Sequence, residues 1–319
     1  MRPSLQSSIQ SPMQSSMQFK DVPFQLQATD IKRHILNVDS RFREPGGNGL
    51  SSDFYFRLLS PVKNVLRIRI THIEFPNNYF MFSKKRRNVS LRILYGSSLT
   101  SIFLASIPDG NYMAYDLVDK LNAIFRGPGG IPWLSCSFNN INGSYTFTGT
   151  QLFAIDTAID GVTPLLTWNR PFDYGLGYNM GFSRGIFDCG AADASGNRFV
   201  TSDQTGFFAG DSYVFLKIND FDCVRQTIVG SDFTALAKII VNQPKNYMSY
   251  DDYASQHAKE VVFPTPQDLS RLHVQLLDSY GEIIDMGSSQ MSFSIEVLEI
   301  MNLSLYNTVR DAFAIGWSV

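Results

Sequence analysis

From about Ile31 onward, apolar and polar residues alternate in short runs. Phe54, Phe56 and Leu58 alternate with Tyr55 and Arg57, and Leu66, Ile68 and Ile70 alternate with Arg67 and Arg69. A period of two sends one set to a buried face and the other to solvent, so each run predicts a strand, and the two together an antiparallel pair. The phase slips at Thr71-His72, after which Ile73 and Phe75 carry the apolar face. That slip predicts a bulge ahead of a Pro76-Asn77-Asn78 turn. Further strands are expected at Leu91–Tyr95, Leu134–Phe138 and Tyr145–Phe147, the last two joined by an Asn142-Gly143 hairpin turn. Cys136 then faces the core. The C-terminal third predicts strands at Tyr213–Ile218, Leu236–Val241, Leu272–Leu276 and Met291–Val297, with a Tyr280-Gly281 turn feeding the last.

One helix interrupts this series. Ala114, Leu117, Val118, Leu121 and Phe125 recur at helical spacing, with Asn111 as the expected N-cap and Gly127-Pro128-Gly129-Gly130 as the stop. Residues 151–205 are rich in glycine and aromatics but weakly periodic, which reads as a loop-rich insertion. No βαβ rhythm is present. The fold class that follows is all-β, an elaborated single jelly-roll β-sandwich with one amphipathic helix and an extended N-terminal arm. More strands are expected than the eight of a simple roll, which leaves a second roll open. The division is an arm over 1–28 and a jelly-roll domain over 29–319.

The arm carries an internal repeat. Residues 3–18 parse into four tetrapeptides ending in Gln6, Gln10, Gln14 and Gln18. Pro12 and the serines oppose a helix, whereas an extended chain puts Leu5, Ile9, Met13 and Met17 on one face. Composition alone reads as a low-complexity tail; the pattern reads as an arm that orders against a neighbour through those four anchors.

Composition narrows the classes. Of 319 residues 18% are charged, below the roughly 25% usual for soluble domains, while Phe (25) and Tyr (14) are abundant. That balance suits pleated half-buried surfaces and extensive interfaces. Lys+Arg at 27 against Asp+Glu at 29 gives no basic footprint for phosphate-backbone binding, so no specific nucleic acid is expected as partner. Cys136, Cys189 and Cys223 are too scattered for a disulfide framework or metal knuckle and read as reduced thiols. Without an apolar leader or an 18-residue apolar run, synthesis in the host cytoplasm without a transmembrane segment is expected, with inner-membrane contact left open.

Chemical motifs are sparse. Walker A, GxGxxG, HExxH, GxSxG and EF-hand patterns do not occur. His34, His72, His257 and His273 lack metal-preassembling spacings and read as hydrogen-bonding residues. Asp220/Asp222 and Asp251/Asp252 could form a glycosidase pair, and Asp203, Asp211, Asp220 and Asp222 a calcium loop, but turn chemistry explains them better. No catalytic residue, cofactor or metal is assigned, and no enzymatic activity is expected. The run Lys84-Lys85-Arg86-Arg87 reads either as a solvated loop or as a docking patch for an acidic neighbour.

Several segments, in order, carry a resemblance: Ile35-Leu-Asn-Val-Asp-Ser-Arg-Phe-Arg43, Ser52-Asp-Phe-Tyr-Phe-Arg-Leu58, Val62 to Ile70, Ile73-Glu-Phe-Pro-Asn-Asn-Tyr79, Ile107-Pro-Asp-Gly-Asn-Tyr112, Leu117 to Asn122, Gly143-Ser-Tyr-Thr-Phe147, Leu277-Asp-Ser-Tyr-Gly281 and Ser292-Phe-Ser-Ile295. Over about 30–305 the chain resembles jelly-roll capsid proteins of nucleocytoplasmic large DNA viruses, the giant icosahedral dsDNA viruses. The resemblance implies a structural virion protein. The favoured form is a minor capsid protein that cements capsomers, with the major capsid protein, other minor capsid proteins and further copies of itself as partners; a penton at the vertices is the alternative. From another class, a jelly-roll carbohydrate-binding or glycan-processing protein would use Trp133, Trp168 or Trp317 as a sugar platform. The interface residues expected are Leu5, Ile9, Met13, Met17, Lys84, Lys85, Arg86 and Arg87.

Overall fold

The computed structural model describes residues 30–46, 49–158, 174–206, 210–228, 231–251 and 259–316. In chain order the first strands are β1 (Ile31–Asp39) and β2 (Asp53–Pro76). A central set follows: β3 (Ser90–Tyr95), β4 (Ser101–Ser106), α1 (Ala114–Arg126), β5 (Leu134–Asn139), β6 (Ser144–Gly149), β7 (Phe153–Asp156), α2 (Leu176–Asn179), β8 (Ile186–Asp188) and β9 (Arg198–Thr201). The chain then continues through β10 (Tyr213–Ile218), β11 (Val224–Ile228), β12 (Ser231–Ala235), β13 (Ala237–Ile240), β14 (Met248–Asp251), β15 (Glu260–Leu277), β16 (Ser292–Ile300) and α3 (Leu303–Gly316).

The pairing registers define a jelly roll. β1 pairs with β16, the first half of β2 with the second half of β15, the second half of β2 with β14 and the start of β15, and β10 with β13, all antiparallel. This is a folded ribbon whose early strands meet its late ones in reverse order. Cross-pairing of β16 with residues 65–74 of β2, and of β15 with β10, closes it into two sheets. One sheet runs β1, β16, late β2, β14; the other runs early β2, late β15, β10, β13. Eight strand segments in this order are the jelly-roll arrangement.

β2 and β15 belong to both sheets, and the sequence explains their bends. Asn64 sits at φ 49° and donates its backbone N–H to the Asp268 carboxylate at 3.0 Å. Opposite it the β2/β15 ladder shifts register between Val262 and Gln267, across Pro264 and Pro266, which lack a ladder donor. The expected antiparallel pairing of 54–58 with 66–70 is therefore replaced by one continuous 24-residue strand. The chain bends at Asn64 but does not reverse, because no two-residue turn separates the halves. The bulge at Thr71 is present: Ser294 pairs with His72 and Ile295 with Ile70, which skips Thr71.

The roll buries Val65, Ile68, Ile70, Ile73, Leu272, Val274, Ile295 and Val297 completely, each contributing about 1.5–3 kcal/mol relative to exposure. A second core lies between β2 and β10 in sequence. A four-stranded sheet, β4-β3-β7-β8, and a three-stranded sheet, β5-β6-β9, enclose it. α1 adds Leu117, Leu121 and Phe125 from one face. The surplus strands thus form a separate core and do not extend the roll. Its residues span Met81 to Val200, so the strands inserted into the roll begin well before Gln151. Within the segment expected to be loop-rich, β7, α2, β8 and β9 are regular, and Phe153, Ile155, Leu176 and Phe182 are buried.

Two local expectations change. The N-cap of α1 is Met113, whose backbone N–H donates to Asp116 at 3.2 Å. Asn111 instead accepts from the Met81 N–H at 2.7 Å and fastens the loop entering the second core. α3 is a helix the strand-dominated reading did not include. No helix among the described residues is long and apolar enough to cross a membrane.

Candidate functional site

The loop from β2 to β3 carries the run Lys84 to Arg87. Lys84 and Lys85 are exposed, and the Lys85 ammonium donates to the Ile283 carbonyl at 3.1 Å. Arg87 takes φ 56° at the loop's tight turn and is half-buried. Arg86 departs from the expected surface patch. Its guanidinium turns inward and lies 2.6 Å from Asp211, just ahead of β10, and 3.0 Å from Asp278, just after β15. Both carboxylates belong to the roll, so Arg86 fastens the entry of the second core to it.

Around this ion triad the roll adds Tyr79 and Lys245. The Lys245 ammonium lies 3.7 Å from the centre of the Tyr79 ring and donates to the Tyr79 carbonyl at 3.0 Å. Burial pushes the Lys245 pKa down to about 8; Asp211 opposes this and Arg86 adds to it. Burial likewise raises the Asp278 carboxyl, against the pull of Arg86. For Arg86 burial disfavours the charge, but Asp211 and Asp278 outweigh it and raise its pKa. Two carboxylates facing one guanidinium and one lysine make a self-neutralising junction. Beside it opens a cavity of about 470 Å³ lined in part by Phe80, Lys85, Asp109, Glu282 and Asp285.

The residues weighed for catalysis or metal binding do structural work or stay apart. Asp211 holds Arg86, and Asp203 accepts from the backbone N–H and hydroxyl of Ser183 at 2.8 and 2.6 Å. His34 pairs with Glu299 at 2.6 Å across β1 and β16. His273 contacts Asp53 at 2.8 Å while stacked on Tyr55, ring centres 4.4 Å apart. Among the described residues no three His, Cys, Asp or Glu side chains gather as a metal site. Cys136 is buried as expected, and desolvation raises its pKa, which disfavours the thiolate.

Of the tryptophans weighed as a sugar platform, Trp133 packs against Tyr95 and Phe153 at the second core. Trp168 and Trp317, together with His257 and Asp252, lie outside the described residues. So do the arm anchors Leu5, Ile9, Met13 and Met17.

The surface carries apolar residues that the fold does not use. Leu59 is fully exposed on β2, and Ile141 is 92% exposed at the tip of the β5–β6 hairpin. Tyr247, Met248 and Tyr250 are each more than half exposed along β14 at the margin of its sheet, and Ile35 and Phe42 stand out near β1. Such side chains gain from contact with another surface. The alternation that places them outward was legible; the ion triad was not, because nothing in the run at 84–87 distinguishes Arg86 from its neighbours.

No protein-family model and no curated protein matches the chain. Among solved structures, the mavirus penton protein overlaps at 12% identity and a TM-score of 0.42, covering 83% of this chain and 99% of that one. A complex of VP16 and VP17, the two major capsid proteins of bacteriophage P23-77, overlaps at 12% identity and a TM-score of 0.17, covering 83% and 98%. At such overlaps the jelly-roll assignment rests on the strand registers of this chain.

Proposed function

We propose that this chain is a structural virion protein, a non-enzymatic component of the capsid of a large icosahedral dsDNA virus. In this reading it is a minor capsid protein, made in the host cytoplasm, that cements capsomers of the major capsid protein and touches other minor capsid proteins. The observation that carries the reading is where the resembling segments fall in the roll. Ile35–Arg43 forms β1 and the turn after it, Ser52–Leu58 and Val62–Ile70 form the two halves of β2, and Ser292–Ile295 opens β16. These are the strands whose registers define the fold. The Asp39-Ser40-Arg41 turn adds a specific lock: the Ser40 hydroxyl donates to Gln290 at 2.7 Å and accepts from the Met291 N–H at 3.0 Å, while Arg41 pairs with Asp39. A segment that ties the first strand to the last would keep its sequence wherever the roll is kept.

The remaining features suit a shell component. Exposed apolar side chains on strand margins, a low charged fraction and a terminal segment with four regularly spaced apolar residues all favour contact with other chains. The test is deletion of residues 1–20 followed by measurement of incorporation into particles. Retained folding with reduced incorporation supports an attachment arm; unchanged incorporation removes the arm from the proposal. Sedimentation of the isolated chain separates the two capsid roles, since a vertex protein assembles into pentamers of itself.

A further inference from the structure

At the corner where β2 and β15 pass between sheets lies a groove of about 870 Å³. Its apolar lining includes Phe221, Val261, Val262, Phe263, Pro264 and Leu269. Phe263 and Leu269 are buried at its base, whereas Val262 is 56% exposed at its lip. Because the β2/β15 ladder skips from Val262 to Gln267, no β2 residue registers opposite the intervening stretch.

The N-terminal segment enters the fold at this same end. Lys32 pairs with Glu299, Glu299 with Val65, and Val65 with Gln267. At about 4.8 Å per strand this row spans roughly 14 Å from β1 to Gln267, itself a groove residue. The Asp30 carbonyl, two residues earlier, accepts from the Met301 N–H at 2.8 Å, which fixes where the preceding chain arrives. The residues between Met17 and Asp30 can span up to about 40 Å when extended, so the groove lies well within the segment's reach.

We infer that the groove is the seat of this chain's own N-terminal segment, which lies along it in extended form with apolar anchors drawn from Leu5, Ile9, Met13 and Met17. Three features select this occupant. A repeat of four residues puts all four anchors on one face of an extended chain. Up to Gln18 the segment carries a single charged residue, Arg2, so seating it over an apolar base desolvates almost no charge. The short tether gives an effective concentration in the millimolar range, which lets weak anchors bind within one chain before they bind between chains. The inference concerns the isolated protein and stands apart from the capsid reading; in a particle the same segment would have to leave this seat to reach a neighbour.

A photoreactive benzophenone amino acid placed at Met13 of the full chain tests this. Irradiation at high dilution followed by peptide mapping is expected to give cross-links within one chain to Phe221 or residues 261–269. Val262→Asp, at an exposed position, is expected to reduce them tenfold or more. Hydrogen exchange at residues 261–269 should also speed up when residues 1–20 are deleted. Cross-links that form only between chains and grow with concentration overturn the assignment to the same chain. Cross-links scattered over the surface, or unaffected by Val262→Asp, overturn the groove.

Discussion

Arg86 and Asp211 meet at 2.6 Å although they are 125 positions apart, one in the loop that opens the second core and the other at the strand that resumes the roll. Asp278 completes the contact from a third segment. The insertion is thus fastened where it leaves and where it returns. Removing one partner of a buried pair leaves the other charge uncompensated, at a cost of about 3–5 kcal/mol. Arg86→Met is expected to destabilise the protein by that amount in denaturant titration, whereas exposed Lys84→Ala stays within about 0.5 kcal/mol. Equal effects would mean that the triad does not hold the junction.

Lys245 gives this junction a pH signature. Its folded-state pKa of about 8 lies below the ordinary value of 10.5, so between those limits the unfolded chain binds more protons and the lysine's contribution to stability rises with pH. Below about pH 8 both states are protonated and that slope vanishes. Stability measured against Lys245→Met from about pH 8 to about pH 10 should therefore rise in the native protein relative to the variant, by at most about 1.4 kcal/mol per pH unit. Referring each value to the variant cancels the opposing effect of Cys136, whose raised pKa removes stability above the ordinary thiol value of 9.0.

Two glycines separate backbone conformation from packing. Gly190 sits at φ 63° with open space where a Cβ would go, and Gly190→Ala should cost about 1–2 kcal/mol for the left-handed conformation alone. Gly181 sits at φ 85°, and its Cβ would strike the Gln204 carbonyl, to which Gly181 is already tied through the Gln204 N–H. Gly181→Ala should cost clearly more, read as a larger drop in the denaturation midpoint.

The strand alternation made much of this legible. Phe54 to Leu58, Leu66 to Ile70 and Met291 to Val297 are strands in the expected phase, and the Asn142-Gly143 hairpin and Thr71 bulge stand where turn chemistry and phase slip put them. What alternation does not encode is connectivity. Nothing between Leu58 and Leu66 states that the chain bends and does not reverse, because the decision rests on Asn64 meeting Asp268, a contact made across the roll. The second core escaped notice for a related reason: β8 and β9 have three and four residues, too short to register a period. Arg86 read as a surface cation because its two carboxylates lie more than a hundred residues away.

The exposed apolar residues allow folding and assembly to be separated. Leu59→Lys and Ile141→Lys change side chains that the fold leaves in solvent, so their denaturation midpoints should match the native protein. Incorporation into particles should fall if these residues meet other coat proteins. Loss of incorporation with unchanged stability identifies them as contacts; unchanged incorporation by both returns them to ordinary surface.

The most direct measurement is lysine-reactive cross-linking and mass spectrometry of intact, nuclease-treated and salt-washed particles from the source of this chain. Lys84 and Lys85, exposed at the mouth of the junction loop, are expected to be cross-linked to a different coat protein while the chain remains with the shell. Absence of the chain from washed particles would contradict its role as a capsid component.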